Sequence, residues 1–411
     1  MWVSLLNVVL ARMHDSDSGP GPGPGAGAGS LPEPDDIARS HSDQLCELLS
    51  HRITVNGGRL SFADYMTQAL YEPGLGYYMA GSAKFGADGD FITAPELTPL
   101  FGATLGREAK RVLDATGGGI LELGAGSGRL ATGLLKSFGQ HLIDYTILEP
   151  SAELSQRQQQ FLKAELTDDQ FARVSWVDSL PSGFKGFIIA NEVMDALPVE
   201  RFQVEEAVMQ LCVNSNLQPK LCKAPESLVR AVKAIEADLG REIESGYLSE
   251  VCLLLEPWIA SLADALDEGV VLLIDYGYPR KEFYSQERRA GTLSCYYRHR
   301  AHDDAFLWPG LQDITAHVDF TAVVESAVKN DLELLGYASQ AAFLLDNGLL
   351  EIMEEQLGSL EGESDRIELS RMVKTLTLPG EMGERFQVMA LGKRYDPPLQ
   401  GFRSQDLAYR L

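Results

Sequence analysis

A short apolar run, Gly119-Ile-Leu-Glu122-Leu, gives way to Gly124-Ala125-Gly126-Ser127-Gly128 and then to a helical stretch at residues 130–138. No other feature restricts the fold as much. A strand, a glycine turn and a helix in immediate succession lay backbone N–H groups and a helix N-terminus against a ligand at the C-terminal edge of a parallel sheet. Glycine is required because the turn takes backbone angles that a Cβ would forbid and the ligand must approach the main chain closely. Further apolar runs at residues 144–148, 174–177, 187–190 and 270–274 alternate with helical stretches. The alternation predicts an α/β fold, a Rossmann-like parallel sheet with helices on both faces.

Charge narrows the ligand. Dinucleotide sites favour GxGxxG, whereas here the glycines fall as GxGxG and Arg129 follows. Glu122 would repel a pyrophosphate but suits the ammonium and sulfonium charges of S-adenosylmethionine (SAM); its competing reading is a solvated carboxylate at a strand end. With Gly124, Gly126 and Gly128 it makes the predicted cofactor loop. Glu149 closes the next strand-like run, from where a carboxylate accepts hydrogen bonds from ribose hydroxyls. Asp178, after the third run, is placed either at the adenine amino group or on the surface.

The fourth run ends in Asn191-Glu192-Val-Met-Asp195, over the crevice where such sheets hold substrates. If that turn is helical, Glu192 and Asp195 share a face and form a carboxylate pair for a cationic acceptor; otherwise Asp195 caps a turn. Asp275-Tyr276-Gly277-Tyr278 follows the fifth run, where aromatic rings beside a carboxylate cradle a cation or simply line a turn.

The 411 residues carry 59 acidic against 35 basic side chains, a formal net charge of −24. Polyanions are repelled and cationic groups attracted, so no nucleic-acid partner is expected. The five cysteines show no metal-ligand or CxxC spacing, and no apolar run is long enough to span a membrane. Residues 1–30 read as a disordered Gly/Pro/Ala-rich extension lacking the marks of a signal or transit peptide. Residues 31–116 read as an N-terminal lid or substrate segment, 117–200 and 267–411 as the core, and 201–266 as a mixed insertion, strand-like at 201–213 and helical at 227–239 and 249–265. Residues 322–374 are expected to be helical, and 385–392 to form a late strand near the sheet edge.

Several motifs together resemble one family. Leu70-Tyr71-Glu-Pro73-Gly-Leu-Gly76-Tyr77-Tyr78, Gly89-Asp90-Phe91-Ile-Thr93, the glycine loop, Asn191 onward, Asp275 to Tyr278, Pro309-Gly310-Leu-Gln-Asp313-Ile-Thr315-Ala-His317-Val-Asp319-Phe320 and Met382-Gly383-Glu384 are similar to the MidA-like methyltransferases, across residues 50 to 393. Ala125 stands where that family often has proline. The resemblance implies the SAM-dependent methyltransferase fold. It also implies transfer to an arginine of a protein substrate, since the family's mitochondrial members are arginine methyltransferases acting in respiratory complex I assembly. By position, Glu122, Gly124, Gly126 and Glu149 would bind SAM, and residues 71–93, with Tyr78 and Asp90, would close over it. Asn191, Glu192 and Asp195 would face the acceptor, with His317 either a general base or a structural histidine. Asp313, His317 and Asp319 are metal-ligand types, but methyl transfer needs no metal and none is expected. Rival readings are a small-molecule methyltransferase, a SAM-binding assembly factor without turnover, and a dehydrogenase. The expected location is the cytoplasm for a bacterial chain and the mitochondrial matrix for a eukaryotic one.

Overall fold

The computed structural model describes residues 31–79 and 93–411. The expected extension of residues 1–30 and the predicted site residue Asp90 lie outside the described residues.

The apolar runs become a central sheet. Its strands are β1 (Gly119–Leu123), β2 (Tyr145–Leu148), β3 (Val174–Val177), β4 (Phe184–Asn191), β5 (Leu266–Tyr278), β6 (Glu333–Ser339) and β7 (Phe386–Lys393). Their spatial order is β6-β7-β5-β4-β1-β2-β3, with a short strand at Val318–Asp319 added to the end of β5. β7 runs antiparallel to both its neighbours, and the pairings from β5 to β3 are parallel. A sheet covered on both faces needs strands apolar on both sides, and Val270, Val271, Leu272, Leu273 and Ile274 are all 0% exposed. Gly119, Gly186 and Gly269 align across β1, β4 and β5. A Cβ on Gly186 would lie 2.1 Å from the Gly119 carbonyl oxygen, so the strands approach there because the side chains are missing. The chain reverses its order across the sheet between β1 and β4, which opens a crevice at their C-terminal ends.

The N-terminal segment divides into two parts. Helices α1 (Asp36–Val55) and α2 (Phe62–Tyr71) bury Leu45, Leu49, Ile53, Tyr65 and Met66 in one cluster with Leu121, Ile188 and Val271 of the sheet. The segment was expected as a lid or substrate segment; these residues are core, and residues 80–92 of the stretch expected to close over the cofactor lie outside the described residues. Helix α3 (Pro99–Thr116) packs on α4 (Arg129–Ser137), where a Cβ on Gly102 would come within 2.9 Å of the Gly133 Cα. It therefore joins the helical layer of the central sheet, and the boundary at residue 116 moves back before residue 99.

The insertion keeps its strand-like start and gains two strands that the sequence did not suggest, at residues 219–223 and 248–251. Strands Glu200–Val204, Val208–Val213, Pro219–Lys223 and Leu248–Val251 form an antiparallel sheet to which Leu60–Ser61 also pairs, with helix Glu226–Leu239 following. Residues 249–251, expected as part of a helix, lie instead against Glu200–Val204. Glu250 faces Arg201 across that ladder with a 3.0 Å ion pair, a cross-strand contact that favours the strand. One expectation near the C-terminus also changes: residues 333–339, inside the expected helical stretch, form β6. β7 lies one strand in from the edge, between β6 and β5, where the late strand was expected. An apolar run this short fits helix or strand equally until a pairing partner is found.

Candidate active site

The crevice at the end of β1 holds a cavity of about 370 Å³ lined by Glu122, Gly124, Gly126, Arg129, Asn191 and Glu192, with Thr93, Pro95 and Glu96 from the opposite side. Gly124 and Gly126 take φ of 64° and 57°, the left-handed turn that lets the main chain face the cavity. Glu122, 1% exposed, accepts a hydrogen bond from the Tyr145 hydroxyl at 2.7 Å, and burial pushes its pKa up to about 7. Gly128 plays another part. A Cβ there would sit 2.4 Å from Leu162 Cδ1, so this glycine admits helix α5 (Ala152–Glu165) rather than lining the cavity.

Glu149 follows β2 and accepts from the Ser151 N–H at 2.9 Å and from Gln158 Nε2 at 3.0 Å; burial raises its pKa to about 8. Gln158 Nε2 also donates to the Gly126 carbonyl at 2.9 Å, and Gln158 Oε1 accepts from Trp176 Nε1 at 3.0 Å. The glutamine thus joins the glycine loop to Glu149. Its signal in the sequence was slight: a polar residue in the buried stripe Leu154, Gln158, Leu162 of α5.

Glu149 reaches the glycine loop through Gln158 without lining the cavity, and two other predicted cofactor residues lie further off. Asp178 is exposed just past β3 and accepts from the Ser179 hydroxyl; it does not line the cavity, because β3 is the outermost strand and its end faces solvent. Tyr78 is buried, and its hydroxyl donates to Asp313 Oδ1 at 2.6 Å. Its ring stacks on Tyr71, whose hydroxyl donates to the Ala196 carbonyl at 2.9 Å. Tyr78 therefore braces the far wall of the site rather than the loop.

At the end of β4 the chain turns sharply. Glu192 has φ of 51°, unusual for a residue with a side chain, and is 1% exposed. Its N–H bonds the Ile274 carbonyl at 2.8 Å, which holds the turn to β5. Asn191 Nδ2 donates to Glu192 Oε1 at 3.1 Å, while Asn191 Oδ1 is buried with no hydrogen-bond partner among the described residues. An acceptor aimed into a cavity in this way fits a ligand donor.

Glu192 and Asp195 do not share a helical face, because Glu192 is itself left-handed and lies outside the 3-10 turn Met194–Ala196. The buried Asp275 organises that turn. Its Oδ2 accepts from the Met194 N–H at 2.9 Å and the Asp195 N–H at 3.1 Å, and the Tyr276 hydroxyl donates to Asp195 Oδ2. Glu192 and Asp195 both act on Tyr296 through their charge. Burial, followed by the charges of Asp195, Asp313 and Glu192, pushes that phenol up to about 12.

His317 sits against Tyr276 and stacks on Tyr278 with ring centroids 5.2 Å apart. Its Nδ1 lies 3.1 Å from the Thr292 carbonyl, and burial pushes its pKa down to about 4, so the ring is neutral near pH 7. It borders a separate cavity with Met194 and Val199, not the one at the glycine loop. Asp319 caps the helix Phe320–Lys329 and pairs with Arg280 at 3.0 Å. Asp313, His317 and Asp319 thus have three different tasks, and among the described residues no group of three or more such side chains is arranged to hold a metal ion.

A family model of S-adenosyl-L-methionine-dependent methyltransferases matches residues 104–338. The chain is 30% identical over 369 residues to the mitochondrial protein arginine methyltransferase NDUFAF7 of Danio rerio, covering 81% of this chain and 83% of that protein. To NDUFAF7 of Homo sapiens it is 28% identical over 367 residues, covering 81% and 80%. Among solved structures, a COG1565 superfamily member from Burkholderia thailandensis bound to S-adenosyl-homocysteine superposes with a TM-score of 0.85 at 37% identity, covering 93% of this chain and 100% of that one.

Proposed function

The chain belongs to the MidA-like family of SAM-dependent methyltransferases, and from that premise we propose that its methyl acceptor is an arginine side chain of a protein. The observation that carries this reading is Glu192, buried in the wall of the glycine-loop cavity and held by Asn191, with Asp195 fixed three residues on by Tyr276 and Asp275. Relatives named as protein arginine methyltransferases add support.

SAM, when bound, supplies an electrophilic methyl group on a sulfonium. The chain's own residues align the acceptor. Glu192, fixed by its left-handed backbone and by Asn191, orients a guanidinium through paired charge-assisted hydrogen bonds. Asp195, held by Tyr276 and by the Asp275 clamp on its N–H, offsets the positive charge until a guanidinium proton leaves. Orientation in a site closed to bulk water is worth several kcal/mol on effective-molarity grounds. A formal charge of −24 favours a cationic protein segment over nucleic acid as the partner.

The test uses methyl-tritiated SAM and a cell protein extract. Methylarginine in the acid-hydrolysed protein fraction is expected, lost with Glu192→Gln while S-adenosylhomocysteine still binds. Label confined to small molecules would overturn the arginine reading, and binding without any transfer would favour an assembly factor.

A further inference from the structure

Arg129 breaks the dinucleotide glycine pattern, and the mechanism above gives it no task. Among the described residues that line the glycine-loop cavity it is the one cation, in company with the carboxylates of Glu96, Glu122 and Glu192. Its Nε lies 2.5 Å from Glu96 Oε2, and the Ser127 hydroxyl donates to Glu96 Oε1. The Glu96 side chain is 5% exposed while that of Arg129 is 48% exposed, resting near the Phe161 ring with its guanidinium carbon 5.7 Å from the centroid. Glu122 is engaged by Tyr145 and Glu192 by Asn191.

An anionic group entering this cavity meets three carboxylates and one guanidinium, so it can be tolerated only where Arg129 reaches it. Glu96, held next to that guanidinium, is the carboxylate nearest to whatever Arg129 binds. A zwitterionic amino acid presents both charges on one carbon. It can replace the internal ion pair with two external ones, and no buried charge is left uncompensated before or after.

We infer that the Arg129–Glu96 pair reads the amino-acid end of the cofactor, Arg129 receiving the α-carboxylate and Glu96 the α-ammonium. The inference rests on SAM as the cofactor and is independent of the acceptor. These are positioning residues: they set where the sulfonium lies by anchoring the far end of the molecule.

Calorimetry on the cofactor-free protein tests it with three probes: S-adenosylhomocysteine, its decarboxylated analogue S-adenosyl-3-thiopropylamine, and 5′-methylthioadenosine, which lacks the amino acid. Arg129→Gln should weaken S-adenosylhomocysteine roughly tenfold or more and leave the other two within about twofold, the size expected for a lost charge-assisted hydrogen bond. Glu96→Gln should weaken both amine-bearing probes and spare methylthioadenosine, which also serves as the folding control. Equal weakening of all three probes would mean that the pair is only a structural clasp and overturn the inference, as would unchanged S-adenosylhomocysteine affinity in Arg129→Gln. Failure of the wild-type protein to bind any probe would overturn it together with the cofactor assignment.

Discussion

The side-chain amide of Gln158 donates to Glu149 at 3.0 Å and, from the same nitrogen, to the Gly126 carbonyl at 2.9 Å. One helix residue therefore sets the distance between the glycine loop and the carboxylate after β2. Gln158→Leu keeps the apolar stripe of α5 but leaves a buried carboxylate and a carbonyl short of a donor, at about 1–3 kcal/mol. Affinity for S-adenosylhomocysteine is expected to fall roughly tenfold by calorimetry. Affinity within twofold of wild type would show that the loop and Glu149 are placed without it.

Burial pushes Glu122 up to about 7 and Glu149 to about 8, against 4.5 for either in an unfolded chain. The folded, cofactor-free protein therefore binds these protons more tightly than the unfolded one. Their contribution to stability is complete below about pH 4.5 and is lost as pH rises through 7 and 8. Donors on the cofactor prefer the ionised carboxylates, so cofactor affinity should run the opposite way and strengthen over the same interval. Thermal unfolding of wild type and Glu149→Gln between pH 5.5 and 8.5 checks the first statement: the substituted protein should lose less stability with rising pH. Parallel curves would place the Glu149 proton elsewhere.

Tyr276 and Asp275 hold Asp195 without lining the glycine-loop cavity. Tyr276→Phe removes the hydrogen bond to Asp195 and should lower kcat by about tenfold, the size of one hydrogen bond to a charged group, with cofactor affinity unchanged. Asp275→Ala strips the acceptor from two buried N–H groups, those of Met194 and Asp195, and should also destabilise the fold by about 2–4 kcal/mol. Single-turnover rates with urea melts separate the two. A Tyr276→Phe enzyme with full kcat would remove Asp195 from the mechanism.

His317 titrates near pH 4 and touches aromatic rings, not the glycine-loop cavity. His317→Gln is expected to keep the methylation rate within a few-fold. A general base would lose about 10²-fold or more, and the wild-type rate would fall as the ring protonates near its pKa of about 4. A pH–rate profile of both proteins decides the matter.

Much of the cofactor end was legible in the sequence because it is local. The strand, the glycine spacing and Glu122 occupy one short stretch, and each constrains the next through backbone geometry and charge. The pieces that position this end are not local. Gln158 stands 32 residues from the Gly126 it bonds, and the Glu96 contact to Ser127 spans 31. A single polar residue on a helix shows that it is buried without showing what it meets.

The same limit explains the misplaced elements. Tyr78 was assigned to the cofactor by its motif, but its hydroxyl reaches Asp313, 235 residues away. The apolar run of 333–339 and the mixed Ser249-Glu250-Val251 suit either a helix or a strand, and only the partner strands decide. From composition and pattern alone, this chain had a parallel sheet, a glycine loop and a charge-matched ligand. Tertiary structure decided which carboxylates share one cavity, since that depends on contacts between residues far apart in the chain, such as Asp275 beneath the turn at Asp195, 80 residues before it.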